Sequence, residues 1–70
     1  MNIIKWTNKF SGETGYVKSL RKAKGCFINT FDKEEARRFS GQKRIDDALQ
    51  VLEEIGETKN NIFEVEVVEK

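Results

Sequence analysis

The chain has no histidine and no proline, a single cysteine, and no apolar run longer than three residues. Each absence removes something. Without histidine there is no Cys–His nucleophile and no imidazole ligand for a metal. One cysteine, Cys26, excludes an intramolecular disulfide and fits a reducing compartment. Without proline, the turns must be built from Gly, Asn, Asp and Ser. No segment approaches the roughly 18 apolar residues needed to cross a bilayer, and "MNIIKWTNKF" lacks the apolar core of a signal peptide. The expectation is a cytoplasmic chain with no membrane partner and no cofactor.

What is present is small and highly charged. The 70 residues are 37% hydrophobic and 36% charged, with a net charge of +1. That composition is globular, and the length fits one domain spanning residues 1–70. A core of this size supplies only about 3–5 kcal/mol. Most large apolar side chains are therefore expected inside, and a homodimer would be a natural way to bury more.

Pattern along the chain gives an order of elements. "NIIKWT" is rich in β-formers, with Ile4 and Trp6 on one face and Ile3, Lys5 and Thr7 on the other. "YVKSL" reads as the return strand of an antiparallel hairpin that places Trp6 near Tyr16. "RKAKG" is a basic turn and "CFINTF" a third strand. Asp32 with Glu35 three residues on predicts a capped first helix over "DKEEARRF", with Ala36 and Phe39 facing inward. Ser40 is placed to cap a second helix, Gln42 to Ile55, where Ile45, Ala48, Leu49, Leu52 and Ile55 keep helical spacing and Gly56 follows as the stop. "IFEVEVVE" alternates, predicting Phe63, Val65 and Val67 inward. Glu64, Glu66 and Glu69 would then guard the outer face or edge against aggregation. The reading is α+β: a mainly antiparallel four-stranded sheet with two helices on one face, in the order β-β-β-α-α-β.

The stretch "NKFSGETGYVKS" could be an anion cradle or a hairpin turn. A phosphate loop requires G-x-x-x-x-G-K-[ST] leading into a helix. Here Gly12 and Gly15 are too close and a strand follows. The stretch is read as a hairpin connection that uses glycine for positive φ.

Charge is polarised along the chain. From Lys18 to Arg44, nine basic side chains face three acids; from Ile45 to Lys70, eight acids face two lysines. Either the basic block forms a surface for phosphates or an acidic protein, or the two blocks neutralise each other in space. Among the seven aromatics, Phe27, Phe31, Phe39 and Phe63 read as core, whereas Phe10 and Tyr16 are candidates for a contact. Cys26, at the start of a strand, reads as a small buried hydrophobe. Neighbouring acids such as Asp46 and Asp47 point about 100° apart on a helix, so they make no acid–base dyad. Enzymatic function is not expected.

Four segments, "IIKWTNKFSGETGYVKSL", "FDKEEARRFS", "ALQVLEEIG" and "IFEVEVVE", carry a resemblance. The chain resembles small uncharacterised proteins of phages and prophages of Gram-positive bacteria. The shared features are structural: Ile4 to Trp6, Gly12 to Tyr16, Ala36 to Ser40, and Phe63 to Val67. They transfer no active site. The resemblance implies a binding role, such as inhibiting or redirecting a host protein, an anti-defence activity among them, or sequestering a nucleotide. The expected function is a non-catalytic accessory module that binds an acidic host protein through Phe10, Tyr16, Arg21, Lys22, Lys24, Arg37 and Arg38. The alternative is nucleic acid or a small nucleotide bound by the same region.

Overall fold

The β-branched and aromatic residues of "NIIKWTN" form β1, Asn2–Asn8. It lies at the centre of an antiparallel sheet with β2 (Thr14–Arg21), β3 (Cys26–Thr30) and β4 (Asn61–Val67), in the spatial order β3-β2-β1-β4. One helix, α1 (Gln42–Glu54), lies between β3 and β4 in sequence. The computed structural model describes residues 1–68. Among them, no helix is long and apolar enough to cross a membrane. The α+β class holds, with one helix rather than two.

The expected first helix is absent. Lys33–Glu35 makes a single 3-10 turn, with the Asp32 side chain accepting the Glu34 N–H at 2.9 Å. The capping residue was legible; the helix it should have started was not. Eight residues with two inward positions are too few to sustain a helix alone, and the sheet takes the backbone instead. Ala36 is already extended (φ −63°, ψ 140°). Arg37 N–H donates to Val17 O at 2.9 Å, and Phe39 exchanges two bonds with Asn2, at 2.7 and 2.9 Å.

This segment occupies a split in the sheet. β1 pairs with β4 along its whole length, but with β2 only at Lys5↔Tyr16, Trp6↔Gly15 and Thr7↔Thr14. Beyond that the two strands part, and residues 36–39 bond to both sides of the gap. A bulge between Val17 and Ser19 sits at the same place and bends β2 further. The sheet therefore curls. Phe27 and Phe63, on opposite edge strands, meet edge-on with ring centroids 5.8 Å apart, whereas three strand spacings in a flat sheet would separate them by roughly 14 Å.

The concave side holds the core: Ile4, Trp6, Val17 and Phe39 against Ile45, Ala48 and Leu52 of α1. Leu49 and Ile55 pack at its margin as their spacing predicted. The helix begins after Gly41, with no side-chain cap from Ser40, and stops at Gly56 in the left-handed conformation (φ 84°). The inward assignment of β4 fails beyond Phe63. Val65 and Val67 are 43% and 79% exposed because α1 does not reach over that end of the edge strand. Phe31 is also exposed, touching Trp6 only by its edge at 6.0 Å. Glu69 lies outside the described residues.

Gly15 has a use other than the one expected. Its φ is not positive; Gly12 alone supplies that in the hairpin connection. The expected Trp6–Tyr16 pairing is shifted by one residue, so Trp6 stands opposite Gly15 and Tyr16 opposite Lys5 on the other face. The indole lies directly on Gly15, where a Cβ would meet Trp6 Cζ2 at 2.6 Å. Gly15→Ala is therefore expected to lower stability by about 1–3 kcal/mol, as overpacking does, and Leu52→Ala by about 2–5 kcal/mol. Urea unfolding followed by Trp6 fluorescence checks both; an unchanged midpoint for Gly15→Ala would contradict the indole packing.

Candidate binding surface

The loop between β1 and β2 has no free amides for an anion. Asn8 Oδ1 accepts the N–H groups of Phe10 and Ser11, both at 2.9 Å. Gly12 N–H donates to Asn8 O at 3.0 Å, and Glu13 N–H to Ser11 Oγ at 3.2 Å. These donors are already paired within the turn, and the Lys9 N–H is taken by Asn60 O at 2.8 Å. What the loop displays is Phe10, 81% exposed at its tip.

The seven expected contact residues do not form one surface. Phe10 lies at one end of β2, and Arg21, Lys22 and Lys24 at the other, roughly 23 Å away at about 3.3 Å per residue. Tyr16 is half-buried on the face away from α1. Arg37 and Arg38 belong to the inserted segment. Cys26 is half-buried rather than fully buried, at the start of an edge strand.

The two charge blocks meet in part. Lys22 reaches Glu54 at 3.1 Å and Lys33 reaches Glu66 at 3.6 Å, linking the basic middle to the acidic C-terminal half. Lys43 pairs with Asp47 one helical turn on, at 3.4 Å. Lys18–Glu35 (3.2 Å) and Arg38–Glu34 (3.7 Å) lie within the basic block. The Lys33 contact is too long for a hydrogen bond, and Glu66 Oε1 is buried without one. Apart from that buried oxygen the five pairs join solvated side chains, so each adds little to stability. Among the described residues, Arg21, Lys24, Arg37 and Arg44 make no ion pair within 4.0 Å.

Three arginines gather at one place. An open groove of about 260 Å³ lies between the inserted segment, α1 and the end of β2. Leu20, Phe39, Ala48 and Val51 give it apolar lining; Arg37, Arg38 and Arg44 give it charge, with Asp47 the one acid. Helical spacing accounts for one wall, since Arg44, Asp47, Ala48 and Val51 fall at i, i+3, i+4 and i+7. The other wall exists because residues 36–39 are extended. Arg37 is steadied by its guanidinium lying 5.2 Å from the centre of the Phe39 ring. Asp47 is engaged by Lys43, so the groove keeps a positive excess.

Arg44 was not expected at the site. It counts in the basic block Lys18 to Arg44 but is not among the seven expected contact residues, because the residues that share its groove, Leu20 and Phe39, come from other segments. A second stripe on α1, beside the core stripe, was the available signal.

The Lys22–Glu54 pair has a measurable consequence. Glu54 is held below the ordinary carboxylate range, chiefly by the hydrogen bond from Lys22, with Gln50 helping. A carboxyl group depressed on folding contributes stability that is present above its unfolded pKa and is lost as pH falls through its folded one. The Glu54 side chain is solvated, with 43% of its surface exposed, so the effect on stability is expected to be slight. The titration itself is the readout: in Lys22→Ala the Glu54 midpoint moves upward, as followed by side-chain carboxyl NMR. An unmoved midpoint would mean the pair does not persist in solution.

Comparison with protein-family models, with curated proteins and with solved structures finds no match to this chain.

Proposed function

We propose that this chain is a non-catalytic binding module that takes an acidic segment of a partner protein into the groove of Arg37, Arg38 and Arg44. The observation carrying this reading is that three arginines line one groove together with apolar side chains, Asp47 in the groove being engaged by Lys43 and Arg38 alone of the three having a carboxylate, Glu34 at 3.7 Å, within ion-pair distance. Guanidinium forks suit carboxylates in two-point contacts, and the lining made by Leu20, Ala48 and Val51 suits an apolar side chain between them. The resemblance to small phage and prophage proteins makes a host protein the class of partner, and interference with host defence one use for it.

Size favours a protein over a nucleotide. Pockets that bury a small molecule run to about 300–1,000 Å³ and enclose most of its surface. A groove of about 260 Å³ that stays open holds one or two side chains and leaves a nucleotide mostly wet. Extended nucleic acid is the weaker reading too, since Lys18, Lys22, Lys33, Arg38 and Lys43 of the basic block already have carboxylate partners within 4.0 Å.

The double variant Arg37→Glu/Arg44→Glu is expected to abolish capture of the partner from bacterial lysate, while Lys24→Glu, outside the groove, retains it. Mobility-shift assays at low salt provide the contrast. A shift that collapses steeply as salt rises would replace the protein reading with nucleic acid. Equal loss of capture in Lys24→Glu would remove the groove from the account.

A further inference from the structure

The outer edge of β4 carries an inference independent of the groove. β4 pairs with β1 on one side, and no described residue pairs with the other. The register tells which backbone groups face outward. In an antiparallel pair, opposed residues alternate between those that exchange both hydrogen bonds and those that exchange none. Met1 and Val68 exchange both, at 3.3 and 2.8 Å, and Lys9 N–H donates to Asn60 O at 2.8 Å at the other end. Alternation between these ends directs the N–H and C=O groups of Ile62, Glu64 and Glu66 to β1. Those of Phe63, Val65 and Val67 point out from the sheet.

The side chains say what such an edge would accept. Val65 and Val67 lie on the helix side and are uncovered. Glu64 and Glu66 lie on the reverse side, at positions where an added strand would make non-hydrogen-bonded pairs and bring side chains closest. Lys5 stands opposite Glu64 on β1, and Lys33 approaches Glu66, so the strip is partly compensated from within. A second copy of this chain fits poorly. In the centred antiparallel register it would set Glu64 against Glu64, and like charges directly opposed are destabilising.

We propose that the outer edge of β4 receives an extended segment of a partner protein that alternates apolar and basic side chains. The backbone of Phe63, Val65 and Val67 supplies the ladder, the two valines cover the apolar side chains, and Glu64 with Glu66 selects the basic ones. The same carboxylates that discourage self-pairing thus admit a strand of opposite charge.

The test uses the full chain and two blocked heptapeptides, one alternating valine with lysine and one alternating valine with glutamate. The lysine peptide is expected to bind, and to slow amide exchange at Phe63, Val65 and Val67 in particular. The glutamate peptide should bind at least about tenfold more weakly, as like-charge juxtaposition requires. Val65→Pro removes one outward N–H without touching the β1 ladder, a substitution edge strands tolerate, and should eliminate the protection. Glu64→Gln, an exposed and conservative change, should narrow the difference between the peptides whether or not the proline variant folds. Equal binding of the two peptides, protection confined to the arginine groove, or a dimer that protects the same three amides would overturn the proposal.

Discussion

The structure depends on one set of backbone hydrogen bonds, those by which residues 36–39 enter the gap between β1 and β2. Arg37 N–H reaches Val17 O, and Phe39 and Asn2 exchange a pair. Without these bonds, the amide and carbonyl groups along the parted strands would need other partners, since buried backbone groups are costly when unpaired. With them, the sheet can curl without opening. Phe39 is carried into the core against α1, and the arginines beside it are left at the surface. The same four residues thus seal the sheet and form one wall of the groove.

The electrostatics follow from that geometry more than from net charge. A chain of +1 overall has a segment strongly basic and another strongly acidic. Folding brings the two together at the far turn, through Lys22 and Glu54, and beside β4, through Lys33 and Glu66. Among the described residues it brings no carboxylate within 4.0 Å of Arg37 or Arg44. What survives as a positive groove is smaller than the sequence implied: it keeps Arg37 and Arg38 of the expected set and adds Arg44 of α1. On the opposite edge, β4 retains its acids with uncovered valines between them. A chain this short cannot bury everything it carries, and the uncovered apolar groups sit beside charge of one sign in each case.

Legibility varied with how local the cause was. The strand β1, the helix from Gln42, and its stop at Gly56 were all readable, because a few neighbouring residues decide them. Asp32 was readable as a cap, and Ala36 and Phe39 as inward residues, yet the helix joining them was not there. Their burial is real, but its cause is a strand-like insertion whose partners, Val17 and Asn2, lie some twenty and thirty-seven positions away. Tyr16 was misplaced by one residue for a related reason. The hairpin register is fixed by the indole of Trp6 needing a position without a side chain, which Gly15 provides.

The sequence by itself determined the class of fold, the chemistry excluded by the absence of histidine, and most of the buried set, since periodicity and composition act over short distances. The split of the sheet, the exposure of Val65 and Val67, and the gathering of Arg37, Arg38 and Arg44 were decided only in three dimensions. Each depends on how far α1 reaches across a curled sheet and on where one extended segment finds its hydrogen bonds. Those are properties of packing between distant segments, and no window of neighbouring residues contains them.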